Sequence, residues 1–119
     1  MPKRRDVRLK RAYESADADD GLRVLVDRLW PRGVSKDAAR IDVWMKDLAP
    51  SAPLRKWYGH DPAKWPEFLE RYFRELDGNP DAVEEFRRHI ARGPVTLVYG
   101  ARDREHNQAV ALMEYLRKR

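Results

Sequence analysis

Residues 94–100 read PVTLVYG, and this short stretch decides the fold class. Pro94 resets the backbone, Val95 to Tyr99 form an unbroken β-branched and apolar run, and Gly100 ends it. Such a run offers no polar face to water, so it reads as a strand buried on both sides, the pattern of a parallel sheet covered by other layers. A second run lies upstream, from Leu22 to Leu29, and is the expected central strand. Trp30-Pro31-Arg32-Gly33 stops it, because proline removes a ladder donor and glycine permits a positive φ. Two weaker segments complete the set. Val7 to Tyr13 alternates apolar and basic residues like an edge strand, and Ile41, Val43 and Met45 alternate with Asp42, Trp44 and Lys46 in a short third strand.

Elsewhere the period changes to that of helices. Ser35 is placed to cap a short turn through Arg40, and Ser51 to cap a helix that runs to about Tyr58 and stops at Gly59. Trp65, Phe68, Leu69, Tyr72, Phe73 and Leu76 mark one helical face, with Gly78 as the stop. Asp61 and Pro62 open this segment, but Pro66 deletes a first-turn hydrogen bond, so the regular helix is expected to begin near Trp65. Asn79 and Pro80 read as cap and first turn of a helix through Ala91, with Val83, Phe86 and Ile90 inward and Glu84 to Arg88 as an i, i+4 pair. Asp103 is placed to cap a last helix that buries Ala109, Leu112, Met113 and Leu116. The order predicts a single α/β domain over residues 1–119, a small, mostly parallel sheet of about four strands flanked by helices.

Composition narrows the function classes. With 119 residues, 42% hydrophobic, the chain is long enough to bury one core and too short for two. The absence of cysteine excludes disulfides, thiolate metal sites and a cysteine nucleophile. Three dispersed histidines without an i, i+4 pair match no common ligand spacing, so no metal is expected. No cofactor is expected either, since the chain has no glycine-rich phosphate loop, dinucleotide fingerprint or nucleophile elbow. No apolar run approaches the roughly 18 residues that cross a bilayer, and Met1 to Arg11 is charged, so the expected location is the cytoplasm, with no membrane partner. The net charge of +5 raises nucleic acid as a partner. The charge sits at the ends, however: residues 1–11 balance to +5 and 117–119 add +3, while in 12–116 16 basic residues face 19 acidic ones. The termini, 1–5 and 117–119, therefore read as basic ends able to fray around a mildly acidic body, and nucleic acid is the weaker expectation.

In open parallel sheets, ligands bind beyond the carboxyl ends of the strands. Three loops there carry cations beside carboxylates. The first holds Asp27, Arg28, Trp30 and Arg32, the second Lys46, Asp47 and Ser51, and the third Arg102, Asp103, His106 and Asn107. If the strands run parallel, Arg28, Arg32, Lys46 and Arg102 are placed to converge on a phosphate or carboxylate, since guanidinium forks bind such groups in bidentate fashion. Asp27, Asp103, His60 and His106 are the candidates for proton transfer. Each also has a plain structural reading: the carboxylates as caps or arginine partners, His60 as a turn residue with Asp61 as a helix cap, and His106 as a packed histidine in the first turn of the last helix. Trp30 and Trp57, beside turns, are candidates to touch a planar ligand, whereas Trp65, Tyr72 and Phe73 are core by spacing.

The strings VDRLWPRG at 26–33, WMKDLAPS at 44–51, LRKWYGHDP at 54–62 and TLVYGARDREHN at 96–107 resemble the YeaO-like family of uncharacterised bacterial proteins, a domain of unknown function numbered 488. The resemblance covers nearly the whole chain. It implies a compact α/β fold and an intracellular protein, and it carries no established activity. Larger relatives of the same grouping tend to carry cysteines around the last strand and helix; with Tyr99, His106 and Asn107 in those regions, thiol chemistry does not transfer. Three functions stay open from sequence: a binder of, or enzyme on, a small anionic ligand; a nucleic-acid-associated module; and an interaction protein without chemistry. Nothing in the sequence fixes an oligomeric state.

Overall fold

A computed structural model describes residues 7–118; the basic segment 1–5 lies outside it, while Arg117 and Lys118 end the last helix. The elements are β1 (Val7–Arg11), β2 (Leu22–Leu25), α1 (Lys36–Ala39), β3 (Val43–Trp44), α2 (Ala52–Tyr58), α3 (Trp65–Asp77), α4 (Pro80–Arg92), β4 (Val95–Tyr99) and α5 (Gln108–Lys118). Short 3-10 turns at Ala18–Asp20, Lys46–Leu48 and Pro62–Lys64 join them. The four strands form one sheet in the order β1-β4-β2-β3, and every pairing is parallel. The α/β reading and the edge position of β1 therefore hold, and β2 and β4 are the interior strands.

Alternation along the strands sorts the core into two layers. Val24 and Val26 of the β2 segment, with Val95, Leu97 and Tyr99 of β4, face the main core, which α2, α3, α4 and α5 fill with Leu54, Phe68, Tyr72, Phe86 and Leu112 among others. Leu25 and Val98 point the other way, where Ala12, Trp30, Val34, Ile41 and Trp44 cover them. The four longer helices thus lie on one face. The opposite face is closed by loop and edge residues, with Trp30 and Trp44 edge to face at 5.5 Å.

The caps follow the sequence in part. Ser35 and Ser51 cap α1 and α2 as expected, Gly59 ends α2 in the left-handed conformation, and α3 begins at Trp65 after the 3-10 turn that Asp61 caps. Two assignments are corrected. The Asn79 side chain does not cap α4 and instead donates to the Asp47 carbonyl at 2.8 Å. Asp103 does not cap α5; Asn107 does, its Oδ1 accepting from the Val110 amide at 3.0 Å. His106 consequently precedes the helix rather than lying in its first turn. The central strand is also shorter than its apolar run: the ladder continues through Val26, which donates to the Val98 carbonyl, and Asp27 to Leu29 leave the sheet.

At the amino ends of the strands the polar stretch before β2 folds into an ionic knot. Asp20, 3% exposed, accepts from Arg23 at 2.6 Å, from Lys10 at 3.1 Å and from the Asp17 amide at 3.0 Å. Burial pushes its pKa up, but the Asp17 amide, Lys10 and Arg23 outweigh burial and hold it below the usual carboxylate range. Gly21 completes the knot at φ 67°, ψ −141°, a region essentially restricted to glycine. A Cβ there would stand 2.4 Å from the Pro94 carbonyl oxygen, which itself accepts from the Leu22 amide and starts the β2–β4 ladder. Gly21→Ala is expected to cost about 2–4 kcal/mol, from backbone strain plus overpacking. Urea unfolding reads this directly, and a midpoint equal to wild type would show that the approach of Gly21 to Pro94 is not needed.

Candidate functional site

β2 and β4 are parallel neighbours, yet their continuations part. Beyond Val26 the chain turns to the loop-covered face, where Trp30 and Val34 pack against Leu25 and Val98. Beyond Tyr99 it turns to the helical face and enters α5, whose Ala109 and Leu112 belong to the main core. Adjacent parallel strands that exit to opposite faces leave a crevice past their carboxyl ends. A cavity of about 450 Å³ occupies that position.

Asp27 bridges the two exits. Its Oδ2 accepts from the Gly100 amide at 2.9 Å and its Oδ1 from the side-chain amide of Gln108, so the carboxylate ties the end of the β2 segment to the end of β4 and the start of α5. Gly100 is required by this approach, because a Cβ there would lie 2.9 Å from Asp27 Oδ2 and 3.5 Å from Pro31 Cβ. Burial raises the Asp27 pKa to about 6, against the opposing pull of the Gly100 and Gln108 donors and the positive charge of Arg55.

Around this carboxylate the cavity has aromatic walls and a cationic lining. Trp30, Tyr58 and Phe68 contribute rings, and Tyr58 donates to the His106 carbonyl at 3.2 Å. Burial, with Asp103 and Asp61 nearby, pushes the Tyr58 phenol up to about 12, so it stays a neutral donor. Arg32, Arg55, Lys56 and His60 line the cavity and are exposed. Their side chains make no hydrogen bond or ion pair with the other described residues, which leaves the charges of Arg32, Arg55 and Lys56 available to a ligand.

The residues singled out in the sequence divide into those the fold brings to the cavity and those it does not. Asp27, Arg28, Trp30, Arg32, His60, His106 and Asn107 line it. Several of these already have structural work. Arg28 donates to the Pro50 and Ala49 carbonyls at 3.1 and 3.2 Å and so pins the loop before α2. Trp30 donates to the Val34 carbonyl at 2.6 Å, and buried Asn107 spends its amide on the Asp103 carbonyl and on capping α5. His106 holds Asp103 through Nδ1 at 2.9 Å and meets Trp65 edge to face.

Lys46, Asp47, Ser51, Arg102 and Asp103 do not line the cavity, which corrects the expected convergence of all three loops. β3 is an edge strand, so its exit opens beside the sheet: Lys46 lies over the Trp44 ring at 4.2 Å, in a separate depression shared with Asp47, Asp81 and Glu85. Ser51 caps α2 and binds Glu75 through both its hydroxyl and its backbone amide. Arg102 is exposed at the turn. Asp103 closes that turn by accepting from the Glu105 and His106 amides, and the Glu105 amide and the His106 ring hold its pKa below the usual range. Sequence reasoning missed Arg55, Lys56 and Gln108. Arg55 and Lys56 follow Ala52 on the exposed face of α2 at three- and four-residue spacing, a signal present in the string LRKWYGHDP. No group of three or more His, Asp or Glu among the described residues is arranged to hold a metal ion, and no described helix is long and apolar enough to cross a membrane.

Comparison with known proteins places these residues in a family setting. The family described as the inactive DUF488-N3 subclade matches residues 6–119. An uncharacterised protein of Mycobacterium tuberculosis (strain H37Rv) is 45% identical over 113 residues, 95% of each chain, and one of Mycobacterium bovis is identical to the same extent. The uncharacterised protein YeaO of Escherichia coli is 36% identical over 112 residues, covering 94% of this chain and 97% of YeaO. No solved structure matches.

Asp27 carries a pH signature. A carboxyl whose folded pKa of about 6 lies above its ordinary 3.8 holds an extra proton in the folded state between those values. Its contribution to stability is therefore full below 3.8, falls as pH rises to about 6, and is flat above. The melting temperature of wild type relative to Asp27→Asn is expected to drop across this window by about 5 °C or more. A difference that does not change with pH would show that Asp27 is not the buried titrating group.

Proposed function

Since this chain belongs to the inactive DUF488-N3 subclade, a YeaO-like branch of the 488 domain family, we propose that it is a cytoplasmic, non-catalytic protein that binds a small anionic ligand in the cavity at the carboxyl ends of β2 and β4. One observation carries the reading: Arg32, Arg55, Lys56 and His60 are exposed around one cavity, and their side chains make no hydrogen bond or ion pair with other described residues. Convergence on one hollow sets them apart rather than lack of a partner: Arg71, Arg74 and Arg104 pair with Glu67, Glu70 and Glu14, whereas Lys36, Arg40, Arg92 and Arg102 are exposed without an ion pair among the described residues. Unpaired cations beside partly desolvated aromatic walls favour phosphate or carboxylate over water, because a charged hydrogen bond strengthens where solvent is thinned.

Binding without turnover agrees with the chemistry of the lining. His106 is bound to Asp103, Arg28 to two carbonyls, and Asn107 to the helix cap, so these groups are committed to the fold and Asp27 is left as the one carboxyl among the described residues that lines the cavity. His60 stands at φ 59° between Gly59 and Asp61, with Asp61 turned to cap the following 3-10 turn. No carboxylate is thus left to orient its ring for general base work.

A thermal-shift and calorimetric screen of sulfate, sugar phosphates, nucleotides and small carboxylates tests the proposal. At least one class is expected to raise the melting temperature, with Arg55→Ala and Arg32→Ala each weakening it roughly 10-fold, the value of one charged contact. Arg102→Ala, outside the cavity, is expected to leave the affinity unchanged. Stabilisation by no member of the panel, or equal losses from Arg102→Ala, would count against an anion site here.

A further inference from the structure

The cavity is larger and less uniformly cationic than a bare anion needs. Its volume of about 450 Å³ falls in the range of sites that enclose whole small molecules, and phosphate or sulfate alone would leave most of it filled with water. Two large hydrophobic side chains stand out among the described residues for their exposure, Leu29 at 63% and Tyr13 at 50%. Both line this same cavity, beside the Trp30 ring. Exposed apolar surface beside a concave site is a mark of ligand contact, and here it lies next to unpaired cations. The interior adds a third feature. Asp27 accepts one bond on each oxygen and has lone pairs left for more, and the Gln108 amide that donates to it keeps its Oε1 as an acceptor.

We infer that the ligand is a free mononucleotide whose base lies against Tyr13, Leu29 and Trp30 with a ring N–H or amino group toward Asp27 and Gln108, and whose phosphate meets Arg32, Arg55 and Lys56. Three chemistries must be present in one molecule to satisfy the lining: an anion for the cations, a flat π face for the rings, and an N–H donor for the acceptor pair. A sugar phosphate and an aliphatic carboxylate have no π face, and a nucleoside has no anion. The assignment rests on the proposed anion site and names the class of molecule that fills it.

Calorimetry with adenosine, guanosine, cytidine and uridine monophosphates, ribose phosphate, adenosine, sulfate and a phosphorylated single-stranded oligonucleotide tests it. At least one mononucleotide is expected to bind about 10-fold or more tighter than ribose phosphate and than its own nucleoside, the ratio that one stacked base supplies. Leu29→Ser, a change at an exposed position that leaves the core untouched, is expected to lower mononucleotide affinity several-fold without changing sulfate affinity. Asp27→Asn is expected to alter the ranking among the bases. Ribose phosphate binding as well as every mononucleotide overturns the base contact while leaving an anion site standing. An oligonucleotide that binds far better than any monomer overturns the free nucleotide, and no binding by any phosphate or sulfate overturns the anion site together with this inference.

Discussion

The Asp27 carboxylate is the tie on which the carboxyl end of the sheet depends. β2 and β4 run side by side, but nothing in the ladder holds their continuations once one chain turns to the loop face and the other to α5. Asp27 meets the Gly100 amide across that divide and takes a second donor from the first residue of α5. Two donors offset part of the cost of taking a carboxylate out of water; the rest appears as the raised pKa. The geometry needs a residue without a side chain opposite, and Gly100 fills that need through the closeness of Asp27 and Pro31 rather than through an unusual φ.

The two ends of the sheet solve opposite problems with the same residue types. At the amino ends Asp20 accepts from both Arg23 and Lys10, with Arg23 also donating to the Ala39 carbonyl at 2.9 Å and Thr96 to the Asp20 carbonyl at 2.7 Å, while Arg23 Nη2 finds no partner among the described residues. That end is closed. At the carboxyl ends Arg32, Arg55 and Lys56 surround one half-buried acid they do not bond, and the volume between them stays open. Net charge alone does not distinguish the two; what differs is whether the inward carboxylate is met by cations within contact distance, as Asp20 is by Arg23 and Lys10 and Asp27 is not.

Much of this was readable beforehand, for physical reasons that also explain the misses. Val95 to Tyr99 matched its strand to the residue because an unbroken apolar run between proline and glycine has no other use in a short chain. The Leu22 run overshot because hydrophobicity cannot show that Asp27 is drawn off the ladder by an amide 73 residues away. Cap residues were right where the hydroxyl had no competing partner for its acceptor role, as at Ser35, and wrong at Asn79 and Asp103, where a neighbouring carbonyl or turn took the side chain. The cavity's location followed from parallel strands, but its membership did not. Which exits share a crevice depends on strand order, and placing β3 at the edge removed Lys46 and Asp47 while α2 brought in Arg55 and Lys56.

The shortness of β3 has a further effect. An open sheet offers its outermost backbone as a template for other chains, and proteins commonly blunt that hazard with abbreviated or charged borders. β3 presents two residues, bounded by Asp42 on one side and by a 3-10 turn on the other, and Lys46 folds over its Trp44 ring. A strand that brief can register with an incoming segment for only one or two rungs, too few to outweigh the ordering entropy of the newcomer. The same economy that leaves β3 out of the cavity thus guards this border of the sheet against runaway polymerisation.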